Sequence, residues 1–310
     1  MRRFETDQTS FEIAGVHFGG QPGEWPTVMC GSIFYDGHKV VSDAVAGVFD
    51  MGAARELLNA EASLVEQFGL QRMPDVVGDT PQALIRYVEF VLELIDGPIL
   101  VDSASIQTLL ETFRHFRGSE CLDRLVFSPI DVHTTEEQFA IIKECQVKNA
   151  LLMAFSPNAV TPQQKMELLL GADGLPGNSL LAKAAAAGIE RLLVDVGVID
   201  LQGTAWSAMS IELAKQTLGL PTGCAPANAL FSWQRTHSDV LSTSQQTAAA
   251  GAAVYSSTVY AGADFLLYGP MRCAEWAYPA CAVADSLMAY GNRLQGIRPG
   301  DKSHPLYKLK

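Results

Sequence analysis

Eight short apolar runs, set apart by stretches whose apolar residues recur every three or four positions, limit this chain to few folds. The runs are "TVMCGSIF" from Thr27, "PDVVGD" from Pro74, "PILVDS" from Pro98, "LVFSPI" from Leu125, "ALLMAFS" from Ala150, "RLLVDVGV" from Arg191, "PTGCAPAN" from Pro221 and "DFLLYGP" from Asp264. Between them lie helical patterns such as "DMGAARELLNAEASLVEQFG" and "TPQALIRYVEFVLELI". Helix starts are signalled by Asp50, by Thr80 before Pro81, by Thr134 with Glu137 three residues on, and by Thr161 before Pro162. Strand and helix alternating eight times over roughly 250 residues is the count of a (β/α)8 TIM barrel. A doubly wound open sheet has the same periodicity and is the competing fold, because periodicity does not show closure.

Ahead of the first run, "FEIAGVHFGG" alternates around Gly15 and reads as a short N-terminal hairpin closing the barrel's bottom. No linker, low-complexity run or charge block divides residues 1–310, so a single domain is expected; the tail after Gly296 reads as a solvated end. With 48% hydrophobic residues the chain can bury a large core. A net charge of −12 without clustered Lys and Arg argues against a nucleic-acid surface. "MRRFETDQ" has no apolar stretch behind its basic pair, and the uncharged run from Val240 to Ala263 is too polar for a membrane span. Six scattered cysteines without C-x-x-C spacing fit reduced thiols and a cytoplasmic setting.

In a TIM barrel the chemistry sits at the C-terminal strand ends. Read in order, these ends offer Asp79, Asp102, Ser128, Asn158, Asp195 and Asn228. Any one of them can merely cap a helix or make a turn. Asp102 and Asp195, each directly behind a fully apolar run, are harder to explain that way, since partly buried carboxylates need donors. A ligand with several N–H groups supplies them. No H-E-x-x-H or C-x-x-C pair offers a metal site, and neither G-x-G-x-x-G nor a P-loop appears. The six histidines read as surface or supporting residues, and "GHK" at residues 37–39 as a solvated loop.

"FEIAGVHFGGQPGEWPTVMCGSIFYDGHKVV", "GVFD", "GDTPQALIRYVEFV", "ILVDSAS", "LLVDVGV" and "PTGCAPANALFSW" together resemble the H subunit of the methanogens' tetrahydromethanopterin S-methyltransferase. The likeness runs to about the eighth strand. The wider group includes methyltetrahydrofolate:corrinoid protein methyltransferases, with dihydropteroate synthases as distant relatives. This resemblance implies a pterin-binding barrel, usually a homodimer. It also implies that Asp102 and Asp195 hydrogen-bond the pyrimidine part of the pterin and that Asn228 lies near N5. The family's usual strand-four asparagine is replaced here by Ser128.

The implied activity is methyl transfer between a corrinoid protein and N5 of tetrahydrofolate. The favoured direction is from methylcorrinoid protein to tetrahydrofolate, giving 5-methyltetrahydrofolate in the breakdown of methylated amines such as glycine betaine. Asn228 would be the catalytic residue. The D-x-H-x-x-G signature of corrinoid carriers is absent, since "DVHTTE" at Asp131 lacks the glycine, so cobalamin would belong to a separate, transiently docked protein. Two alternatives stay open. One is a non-catalytic pterin-binding subunit of a larger complex. The other is a dihydropteroate synthase-like enzyme, against which the absence of a basic residue in "GCAPANA" counts.

Overall fold

The computed structural model describes residues 3–171, 179–237 and 239–309. Eight parallel strands follow the eight apolar runs: β1 (Val28–Ile33), β2 (Asp75–Val77), β3 (Ile99–Asp102), β4 (Leu125–Ile130), β5 (Asn149–Met153), β6 (Arg191–Asp195), β7 (Thr222–Cys224) and β8 (Phe265–Pro270). The last pairs with the first, Phe265 opposite Val28 and Pro270 opposite Ser32. That pairing closes the sheet, and the open alternative is excluded. A short piece, Gln71–Arg72, pairs with β1 just ahead of β2.

Helices α1 (Met51–Phe68), α2 (Pro81–Leu92), α3 (Ile106–Phe116), α4 (Glu136–Glu144), α5 (Pro162–Leu170), α6 (Leu180–Ala186), α7 (Gly203–Leu218), α8 (Pro226–Thr236), α9 (Ser244–Tyr260) and α10 (Ala274–Asn292) lie between and after the strands. Asp50, Thr80 and Thr161 cap α1, α2 and α5 by accepting the N–H of Ala53, Ala83 and Gln164. The start of α4 corrects the expectation by one residue. Thr135 makes the capping box with Gln138, while Thr134 accepts from the Asp131 N–H at 3.2 Å. Two adjacent threonines, each with Glu or Gln three residues on, leave the spacing rule nothing to choose between.

Inside the barrel the strand period of two sorts residues into layers. Val28, Cys30, Met73, Leu100, Val126, Leu151, Leu193 and Phe265 form one buried apolar cluster with Ile13 and Phe18. The last two come from the hairpin Ser10–Ile13 with Val16–Gly19, which seals this lower end as the alternation predicts. His17 N–H donates to Gln71 at 2.9 Å, fixing the hairpin to the short piece just ahead of β2.

The tail is not the solvated end that its sequence suggests. Ile297, His304, Pro305 and Leu306 are buried, and the short helix α11 (Pro305–Lys308) packs on α10 and α1. Gly300 N–H bonds the Glu24 carbonyl, and Gly69 at the end of α1 lies against Ser303 and Lys308. A few apolar residues among Asp301, Lys302 and Lys308 are too short a signal for periodicity to register.

Candidate functional site

One inward step above the apolar layer, the same alternation reaches a different set of side chains. Two residues beyond Cys30, Met73, Leu100, Val126 and Leu193 come Ser32, Asp75, Asp102, Ser128 and Asp195. Asp75, Ser128 and Asp195 are at most 3% exposed, and Asp102 is partly buried. Strand register ties them together: Ser32 is opposite Asp75 and Asp102 opposite Ser128. The Ser32 hydroxyl donates to Asp75 Oδ2 at 2.6 Å, and the Ser128 hydroxyl to Asp102 Oδ2 at 3.0 Å. Asp195 Oδ1 accepts from the Gly197 N–H at 2.6 Å. Among the described residues no cation forms a salt bridge with any of the three carboxylates.

Burial is the first cause that lifts Asp102 and Asp195 to about 6 each. On Asp102 the Ser128 bond opposes that rise and the Asp195 charge adds to it. On Asp195 the Gly197 N–H and the Lys165 charge oppose it. Asp75 is pushed well above the usual carboxylate range, by burial and then by Asp102, against the bond from Ser32. Its Oδ1 is buried with no hydrogen-bond partner. Such a cluster is expensive to desolvate and is short of donors. Among the described residues no group of three or more His, Cys, Asp or Glu side chains is placed to hold a metal ion.

Beside these carboxylates opens a cavity of about 540 Å³ whose lining includes Ser32, Val77, Phe155, Val198, Asn228 and Arg235. Ser32 holds Asp75, and Val77 pairs in register with Asp102, so these two carboxylates adjoin the cavity through those residues. Helix α8 begins at Pro226, and its Asn228, Phe231, Ser232 and Arg235 recur at helical spacing along the cavity wall. Asn228 is exposed there. Arg235 brings a cation to the connection after strand seven, two turns beyond "GCAPANA", which has none.

Two of the other expected residues are not drawn into this cluster. Asp79 is exposed after β2, and its charge, with that of Asp43 and after burial, pushes the Tyr87 hydroxyl upward. Asn158 is exposed in the turn closed by Ala159 N–H on the Ser156 carbonyl. "GHK" is solvated at Gly37 and Lys39 but not at its histidine. His38 is 8% exposed, accepts from the Phe34 N–H at 3.1 Å, and stacks on Tyr35, which lines the cavity and accepts from Arg272 at 2.7 Å. Sequence reasoning missed Asp75. Its signal was the register: it stands two residues after a buried methionine, whereas Asp79 merely stands last.

A family profile described as the tetrahydromethanopterin S-methyltransferase MtrH subunit matches residues 6–299. The chain belongs to that family. The H subunit of the tetrahydromethanopterin S-methyltransferase of Methanopyrus kandleri is 32% identical to this MtrH-family chain over 96% of each. Its counterpart in Methanococcus aeolicus is 34% identical over the whole of each. The H subunit of a putative mtx methyltransferase of Methanosarcina barkeri is 31% identical over the whole of each. This chain is thereby a methyltransferase of the MtrH type. Among solved structures, dihydropteroate synthase of Yersinia pestis with a pterine–sulfa conjugate has a TM-score of 0.60 at 13% identity, covering 91% of this chain and all of that one. The Vibrio fischeri 7,8-dihydropteroate synthase gives 0.59 at 12%, covering 93% and 98%. At such identities the MtrH-type chain shares their barrel fold. Among its described residues no helix is long and apolar enough to cross a membrane.

Proposed function

We propose that this chain transfers a methyl group between a corrinoid protein and N5 of a tetrahydropterin bound at the barrel mouth. The observation that carries the reading is the set of donor-poor carboxylates, Asp75 and Asp195 buried and Asp102 partly so, next to a cavity lined by Ser32 and Asn228. A pterin's pyrimidine part presents an amidine-like edge of N–H donors, which carboxylates bind with charge-assisted hydrogen bonds. Asp102 and Asp195 take that edge, Ser128 orients Asp102, and the orphaned oxygen of Asp75 accepts from the ligand or from a water it orders.

Positioning is then the main task, since transfer needs N5, the methyl group and cobalt in line. The Asn228 amide can donate or accept, so it follows the change in N5 protonation during transfer in either direction. Cobalamin comes on a separate corrinoid protein that docks transiently over the mouth, and the chain works as a homodimer in the cytoplasm. The pterin in this reading is tetrahydrofolate. Transfer from methylcorrinoid protein yields 5-methyltetrahydrofolate, as the use of methylated amines such as glycine betaine requires.

Titration calorimetry with tetrahydrofolate tests the binding step, and transfer from free methylcobalamin tests the chemistry. Unchanged affinity in both Asp102→Ala and Asp195→Ala removes these residues from the pocket. A second reading is favoured by the relatives' names, which are those of components of a methyltransferase acting on tetrahydromethanopterin. That pterin shares the pyrimidine edge and N5 and differs in its tail, so a parallel titration discriminates the two. A chain that binds pterin yet transfers nothing alone is one that works inside a complex.

A further inference from the structure

Lys165 has no role in pterin binding or methyl transfer as described, yet it is 2% exposed on α5, where an ammonium is costly to bury. Its Nζ donates to the Gly197 carbonyl at 3.2 Å and to the Ser207 hydroxyl at 3.4 Å. Ser207 itself donates to the same Gly197 carbonyl at 2.6 Å. On its other side, Gly197 donates its N–H to Asp195 Oδ1 at 2.6 Å. The residue sits at φ 62°, and a Cβ there would meet Phe155 at 2.7 Å, so both space and backbone require glycine. The turn after β6 is thus clamped from behind by a lysine and a serine, and its front presents one N–H to a carboxylate of the site.

We propose that Lys165 is a positioning residue for the pterin site: it fixes the Gly197 turn that aims an N–H at Asp195, and its ammonium keeps that carboxylate charged and able to accept. The inference rests on the pterin reading only for what Asp195 binds. The charged and titratable groups that bear on the pair come from every side. The Asp195 charge raises Asp102 on β3, Cys30 on β1 and Cys224 on β7, Lys165 on α5 opposes the rise of Asp195 and of Cys224, and the Asp102 charge raises Asp75 on β2. Of these only Lys165 is a cation. Its own pKa is lowered first by burial, with Asp195 and Cys224 pulling the other way. A buried neutral side chain of the same length would fill the space equally well, so the charge is what needs explaining.

The free protein provides a test independent of pterin. Carbon-13 labelling of aspartate carboxyls, with Asp195 assigned from its loss in Asp195→Asn, should show a midpoint near 6 in the wild type. In Lys165→Met that midpoint should rise by about half a unit or more, roughly a threefold change in proton affinity. Tetrahydrofolate affinity should then fall at least about twofold more at pH 6 than at pH 8.5, where the carboxylate is ionised with or without the lysine. An unmoved midpoint, or an affinity loss no larger at pH 6 than at pH 8.5, means that the ammonium does not act on Asp195 and overturns the proposal. Should Lys165→Met not fold, wild-type Lys165 15Nζ decides. A step at the Asp195 midpoint, lost in Asp195→Asn, supports the coupling, and its absence overturns it. A midpoint that rises in Lys165→Met, when the wild type binds no pterin, supports the Lys165–Asp195 link and rejects the pterin reading instead.

Discussion

Two neighbouring layers inside the barrel are built on the same strands and differ in kind. The lower joins Val28, Met73, Leu100, Val126 and Leu193 to Phe18 of the hairpin in a buried apolar plug. The upper, one alternation higher, replaces apolar groups with Ser32, Asp75, Asp102, Ser128 and Asp195. Folding favours the first and opposes the second, because burial of unpaired carboxylates raises the free energy of the native state. The lower layer therefore reports on stability and the upper on binding, a division that substitution can test.

Phe18→Ala should produce the largest effect, about 3–5 kcal/mol less stability by denaturant unfolding. Its pterin affinity should be unaltered; a selective loss of affinity would mean that the two layers are not independent. Asn228→Ala should come next, slowing single-turnover transfer at saturating tetrahydrofolate about 10²-fold with little change in affinity, since a contact that strengthens in the transition state shows in the rate. If affinity falls and the rate holds, Asn228 only binds. Asp102→Ala and Asp195→Ala should each weaken tetrahydrofolate binding by about 1.5–3 kcal/mol, the range for hydrogen bonds to charged groups.

The pH dependence of stability sharpens the contrast. Asp102 and Asp195 have folded-state values raised to about 6, so the native protein holds protons that the unfolded chain releases. Stability from this source is fully present below the unfolded carboxylate value and is lost as pH rises through about 6. Urea unfolding should show that Asp102→Asn removes part of the decline between pH 4 and 6.5, while Phe18→Ala leaves its shape alone. The smallest effect is expected of Ser128→Asn, whose amide can take over the bond to Asp102. Abolished binding in that variant would mean that the pocket is shaped differently from the one in which an asparagine occupies strand four.

The lower layer was legible from sequence because buried parallel strands are continuous apolar runs; eight of them gave the barrel's count, but closure needed the pairing of the last strand with the first. Asp102 and Asp195 stood out for the same reason, as charges that end such runs. Asp75 did not, since it opens its run behind Pro74 and is recognised only when Met73 is known to face inward. Asp79 and Asn158 were selected by position along the chain, a one-dimensional criterion that does not distinguish a strand tip facing the axis from a turn facing solvent. Lys165 was invisible in "PQQKMELLL", where a lysine reads as the wet face of a helix.

The docking of the tail has a practical side. Arg3 N–H bonds the Gln295 side chain and Gly300 N–H the Glu24 carbonyl, so the first and last described stretches meet on the end that the hairpin seals. A tag placed beyond either stretch would leave from that end. Immobilised through it on a sensor chip, the barrel would present its open mouth to the flowing solution, and the proposed docking of a corrinoid protein there could be timed without the surface shielding that face.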